Sequence, residues 1–168
     1  HRIVEALDLI PGMAVADIGA GTGFYTFLFA HKVGASGKVY AVDISDNFIK
    51  NILRIGSEQG LNNIEGIINN QKSTNLTPDT IDLAFMCDTY HHFEYPQATL
   101  ASIYQALRPK GRLVIIDYRK QVGISSSWVM SHVRLNEKTV IKEIETAGFS
   151  LISQQDFLKS NYFLTFEK

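Results

Sequence analysis

The stretch "VADIGAGTGFYTFLFA", Val15 to Ala30, sets three glycines on alternate positions between a short apolar run and a segment of helical character. Glycine serves where a backbone must turn sharply or let a ligand come close. Gly19, Gly21 and Gly23 all fall at the junction of a predicted strand and a predicted helix. That junction predicts a binding loop, one that offers a ligand backbone N–H groups and a helix N-terminus.

Outward from the loop, short β-branched runs alternate with longer segments of helical period, separated by Gly, Asn, Asp or Pro. Strands are predicted at Ala14–Ile18, Val39–Val42, Ile64–Ile68, Ile81–Met86 and Arg112–Ile116. Most are too uniformly apolar for a sheet with one wet face, so helices should cover both sides. The predicted helices are Ile3–Leu9, Tyr25–Lys32, Asp46–Gln59, Gln97–Leu107 and Glu137–Ala147. Ser45 or Asp46 caps the third, Pro96 opens the fourth and Gly148 follows the fifth. Beyond Gly148 two extended runs, Ser150–Gln155 and Tyr162–Phe166, are joined by so short a link that they must be antiparallel neighbours. The fold class is α/β, a doubly wound three-layer sandwich.

The 168 residues, 45% of them hydrophobic, suit one domain with a substantial core. A net charge of −1 gives no reason to expect a nucleic-acid backbone or an anionic membrane as partner, and a small molecule fits better. Cys87 is the single cysteine, which excludes an intramolecular disulfide and points to a reducing, cytoplasmic setting. No run of about 18 apolar residues exists to span a bilayer. The opening His1-Arg2-Ile3 lacks an initiator Met and a signal-peptide layout, and reads as the start of a trimmed chain.

The ligand follows from what surrounds the glycines. A dinucleotide fingerprint requires G-x-G-x-x-G, and its last position here is Phe24. Asp17, just before the loop, would repel a pyrophosphate and attract a cationic amine. Asp43, at the end of the second strand, can accept both hydroxyls of a ribose. Asn69-Asn70-Gln71 closes the third strand with amides suited to an adenine edge. Amine, ribose and adenine together describe S-adenosylmethionine.

These residues resemble the class I S-adenosylmethionine-dependent methyltransferases over nearly the whole chain. Asp17-Ile18-Gly19-Ala20-Gly21-Thr22-Gly23 is similar to that family's D/E-x-G-x-G-x-G signature, and Asp43 to its acidic residue after strand two. Leu76–Leu83 and "ALRPKGRLVIID", Ala106–Asp117, resemble its stretches before strands four and five. The resemblance implies a Rossmann-like, mostly parallel seven-stranded sheet with an antiparallel last strand. It also implies S-adenosylmethionine as methyl donor and S-adenosylhomocysteine as product, held by Asp17, Gly19, Gly21, Gly23, Asp43, Ile44, Asn70 and Asp88. Many members carry Asp where Asn70 stands.

The acceptor should approach from the loops after strands four and five. The first reads Cys87-Asp88-Thr89-Tyr90-His91-His92-Phe93, the second Asp117-Tyr118-Arg119-Lys120. His91 and His92 are the candidate catalytic bases, since imidazoles titrate near neutral pH. Adjacent residues leaving a strand point in different directions, so one histidine is expected to be catalytic and the other structural. Asp88 and Asp117 resemble the Mg²⁺ ligands of metal-dependent catechol methyltransferases, but Tyr118 stands where those enzymes place Asn, so no metal is expected. The Gly/Ser-bearing segment Gln121–Leu135, with Trp128, Met130, His132 and Arg134, is placed to cover the acceptor.

Two other readings compete: a module that binds the donor without turnover, and a nicotinamide-dependent oxidoreductase. Phe24 and Asp17 count against the second. The methylated atom and the oligomeric state are left open by the sequence.

Overall fold

The computed structural model describes residues 2–168. Seven strands form one sheet in the order β3-β2-β1-β4-β5-β7-β6. They are β1 (Ala14–Ile18), β2 (Lys38–Asp43), β3 (Ile64–Ile68), β4 (Ile81–Cys87), β5 (Leu107–Tyr118), β6 (Ser150–Gln155) and β7 (Asn161–Glu167). Strands β1 to β5 pair in parallel, and β7 runs antiparallel to both β5 and β6. The chain reverses its direction of travel across the sheet between β3 and β4, which leaves a crevice at the carboxyl ends of β1 and β4.

The alternation of side chains along the strands divides the core in two. Val15, Val39, Leu83, Phe85, Val114 and Ile116 face α2 (Phe24–Val33), which contributes Phe29, Ala30 and Val33. The short α1 (Arg2–Glu5) adds Val4 to the same face, and α3 (Asp46–Glu58) packs Ile49 and Ile52 against Ala41. Ala16, Ala84, Met86, Leu113 and Ile115 face the other way, onto Leu100 and Ile103 of α4 (Pro96–Ala106) and Val140 and Ile144 of α6 (Glu137–Thr146). Each fully buried large apolar side chain contributes about 1.5–3 kcal/mol. Strands apolar on both sides thus obtain the two helical layers that their sequence requires.

Three departures from the sequence pattern have local causes. The first helix stops at Glu5 rather than Leu9, because Asp8 adopts a φ of 49° that a right-handed helix cannot continue. Strand β5 starts at Leu107, five residues before the expected Arg112. Leu107 is already extended and pairs with Ile81, and the turn through Pro109 and Lys110, with φ 63° at the lysine, is skipped in the register before Leu83 meets Arg112. The segment expected to be a cover contains a helix, α5 (Ser127–His132), capped by Ser126, whose Oγ accepts the Val129 N–H. Among the described residues no helix is long and apolar enough to cross a membrane.

Candidate active site

The glycine loop is fastened to the end of β2. Gly19 and Ala20 donate their N–H groups to the Val42 carbonyl at 2.8 and 3.1 Å. Gly21 donates to Asp43 Oδ2 at 2.9 Å, while Asp43 Oδ1 accepts the Ser45 N–H at 2.8 Å. The three glycines serve different ends. Gly19 has a φ of 77°, and a Cβ there would lie 2.4 Å from the Thr89 side chain, so the loop and the β4 turn close on each other only without one. Gly21 has a φ of 53°, and its Cβ would meet nothing closer than the Gly19 carbonyl oxygen at 4.0 Å. A Cβ on Gly23 would come within 2.8 Å of Ile52 and 3.0 Å of Phe27, which makes that glycine a contact between α2 and α3.

Asp17 is buried at the end of β1, where its Oδ2 accepts the Thr26 hydroxyl at 2.6 Å. That bond ties the first turn of α2 to the strand. Burial pushes the Asp17 carboxyl up from 3.8 to about 6, against the lowering effect of Thr26.

Beside the loop opens a cleft of about 330 Å³. Ile18, Gly19, Asp43 and Ile44 line one part, Asn69, Asn70 and Gln71 another, and Thr89, His92 and Phe93 a third. Ile44 is 62% exposed, an apolar side chain held at the cleft mouth. Asn70 has turned its amide oxygen inward, accepting the Lys72 and Ser73 N–H groups at 2.9 and 3.1 Å, so it shapes the turn. Asn69 is the opposite case. Its Oδ1 is buried and finds no hydrogen-bond partner among the described residues. A buried carbonyl without a donor is costly, and a ligand N–H is the natural remedy.

Strand β4 ends at Cys87, and Asp88, the next residue, holds a strained φ of 51° and accepts the Asn161 amide at 2.8 Å. Burial first, and then the nearby Asp117 carboxylate, raise the Asp88 carboxyl above its ordinary range. Asp117 itself is fully buried and faces His91: its Oδ1 lies 2.8 Å from His91 Nδ1, and its Oδ2 accepts the His91 N–H at 3.0 Å. Both of its oxygens are thereby engaged by His91.

His91 and His92 do not point apart. They occupy a 3₁₀ turn, Tyr90–His92, rather than the strand, and their ring centroids are 4.0 Å apart. His132, from α5, completes a triangle with centroids 5.1 Å from His91 and 5.2 Å from His92. Trp128 stacks on His132 at 4.5 Å and meets Tyr118 edge-on at 5.4 Å. Burial, and then the imidazoles of His91 and His132, hold His92 below its ordinary range. The local sequence places His132 only within a covering segment and carries no sign of the Asp117–His91 pair. The signal available was positional: β4 and β5 are neighbours, so residues leaving their carboxyl ends must meet.

Residues 9–162 match the family described as "Methyltransferase domain". The chain belongs to that family. The ubiquinone/menaquinone biosynthesis C-methyltransferase UbiE of Hydrogenovibrio crunogenus is 28% identical over 126 residues, covering 71% of this chain and 50% of that protein. The UbiE protein of Marinomonas sp. is 31% identical over 110 residues, covering 65% and 44%. The chain therefore spans about half the length of these curated relatives. Among solved structures, a SAM-dependent methyltransferase from Aquifex aeolicus superposes with a TM-score of 0.89 at 26% identity, over 99% of this chain and 87% of that one. The [4+2]-cyclase SpnF superposes at 0.84 with 14% identity, covering 99% and 80%, a likeness of fold alone. A cyclase on this fold shows that the fold alone does not fix the chemistry, which lies in the site.

Proposed function

We propose that this chain, acting as one domain over residues 1–168, transfers a methyl group from S-adenosylmethionine to a small-molecule acceptor and releases S-adenosylhomocysteine. The observation that carries the reading is one continuous cleft, which runs from Gly19 and Asp43 past Asn69 to Thr89 and His92. The donor fits this chain's own polar groups. Each Asp43 oxygen accepts one backbone N–H and keeps a lone pair for a ribose hydroxyl. The orphaned Asn69 Oδ1 suits an adenine amine, displacing that role from Asn70. Ionised Asp17 attracts the amine of the methionine end, Gly19 permits the close approach, and Ile44 lies against apolar ligand surface.

When bound, the donor supplies an electrophilic methyl on a cationic sulfonium. The chain's task is then to hold an acceptor in line with it and exclude water. His91 and His92 are the groups that activate the acceptor, with Asp117 fixing the His91 ring. An aromatic acceptor agrees with the half-buried ring of Tyr118 and the exposed rings of Trp128 and His132 beside them, and with the quinone-pathway names of the UbiE relatives. A cytoplasmic setting suits Cys87, whose half-buried thiol is pushed up to about 12, chiefly by burial, and so stays unreactive.

Thermal shift with S-adenosylmethionine, S-adenosylhomocysteine and NAD tests the donor. The first two should raise the melting temperature and NAD should not. Transfer of a labelled methyl to a panel of phenols, quinols and other metabolites tests turnover. Donor binding with no transfer to any of them would favour the binding-module reading.

A further inference from the structure

We propose that His91, His92 and His132 form a binding site for a divalent transition metal ion of the zinc class. One ring nitrogen from each of the three lies within 4.8 Å of the others. Tetrahedral Zn–N bonds of about 2.0–2.1 Å place ligand nitrogens about 3.4 Å apart. The rings thus need only small rotations to close on an ion. Three neutral imidazoles are a donor set that suits Zn²⁺ and its neighbours and does not suit Mg²⁺ or Ca²⁺, which require oxygen.

Two further observations favour an ion over a mere stack of rings. His91 Nε2 is buried and finds no hydrogen-bond partner among the described residues, on a side chain only 4% exposed. An unpaired buried nitrogen is destabilising, and a metal bond is one of the few things that would satisfy it. The opposite nitrogen, Nδ1, is held by the buried Asp117 carboxylate at 2.8 Å. A carboxylate fixing one nitrogen while the other takes the ion is the arrangement that orients histidine ligands at metal centres. On the third corner, Trp128 stacks against His132 and limits its rotation.

The site would be open. Three protein ligands leave a fourth position, and His92 also lines the donor cleft. The use of that position rests on the methyltransferase reading above. An acceptor hydroxyl bound there would release its proton to solvent, as metal-bound water does near neutral pH, and keep its electron pair for the incoming methyl.

The test is metal binding by the chelator-stripped protein, read by calorimetry with ZnCl₂ and by visible absorption with CoCl₂. One equivalent should bind with a Kd of about 1 μM or tighter, and cobalt should show the strong absorption of a low-coordinate nitrogen site. His132→Ala and His92→Ala should each weaken binding at least about tenfold, and Asp117→Asn by about 10–100-fold. His31→Asn, in α2 and outside the cluster, should change nothing. His132 sits on a short exposed helix, so its variant keeps the proposal testable even if Asp117→Asn fails to fold. Zinc binding that is absent, or equally strong in His132→Ala, overturns the site. Donor affinity measured on the same samples separates the two readings. Donor binding without zinc binding removes the metal and leaves methyl transfer, and zinc binding without donor binding upholds the metal and removes methyl transfer.

Discussion

Asp43 Oδ2 accepts the Gly21 N–H at 2.9 Å, so the carboxylate that ends β2 holds the middle of the glycine loop. The same side chain therefore shapes the loop and faces the proposed ribose. Asp43→Ala removes the acceptor of two backbone N–H groups as well as the ligand contact. Donor affinity should fall by about 1–3 kcal/mol, roughly 5- to 150-fold in Kd, with a lower melting temperature. Asp43→Asn keeps one acceptor oxygen and should fall between. Calorimetry with S-adenosylhomocysteine checks both, and an unchanged Kd in Asp43→Ala would remove Asp43 from the ribose.

Gly19 and Thr89 make the second prediction. A Cβ on Gly19 would lie 2.4 Å from Thr89, so Gly19→Ala must push the β4 turn away or strain the loop, at a cost of about 1–3 kcal/mol. Gly19→Ala/Thr89→Gly relieves the clash but not the φ of 77°, and should recover only part of the loss in a melting curve. Gly21→Val has space but an unfavourable φ of 53°. It should remain folded and bind the donor poorly, and normal donor affinity in that folded variant would leave the loop a turn only.

These contrasts show where the sequence was legible. The alternation of apolar runs, the helix cap at Ser45, the helix start at Pro96 and the glycine loop depend on local spacing, and the sheet they imply is the sheet observed. The His91–Asp117 pair spans 26 positions and is formed only when β4 and β5 lie side by side. No local pattern encodes it. Likewise Asn69 and Asn70 are identical in kind, and only the turn at Lys72 and Ser73 decides which one is free for a ligand.

Asp17 gives a prediction with opposite signs for stability and binding. Its folded pKa of about 6 lies above its ordinary 3.8, so the native state holds the proton more tightly than the unfolded chain. Its contribution to stability is complete below 3.8 and is lost as pH rises through about 6. Acidifying from neutral pH to about 5 should therefore stabilise the ligand-free protein relative to Asp17→Asn. At neutral pH Asp17→Asn should be the more stable, by on the order of 1–3 kcal/mol. Donor affinity should run the other way, weakening below about pH 6 as the carboxylate that attracts the amine is neutralised. Melting curves and calorimetry across this range check both, and an affinity that stays flat would show that Asp17 does not meet the amine.

Asp117 is placed to govern turnover through His91 rather than by touching substrate. It accepts the His91 N–H at 3.0 Å, faces Nδ1 at 2.8 Å and accepts the Tyr118 N–H at 2.8 Å, with no exposure to solvent. This arrangement favours the proton on Nδ1 and leaves the Nε2 lone pair toward His92 and His132. Asp117→Asn keeps the size but offers an N–H where an acceptor is needed, so the ring loses its preferred tautomer. Turnover should fall by about 10²-fold or more while donor affinity holds, with a loss of stability of about 1–3 kcal/mol. His91→Gln should lower turnover about as far, and the double variant should be little worse than either single one, because the two residues act as a unit. His92→Gln, on an exposed ring, should reduce turnover with almost no change in melting temperature. A purely structural role for the pair would give a different pattern: lower melting temperatures for Asp117→Asn and His91→Gln, with unaltered turnover per folded molecule.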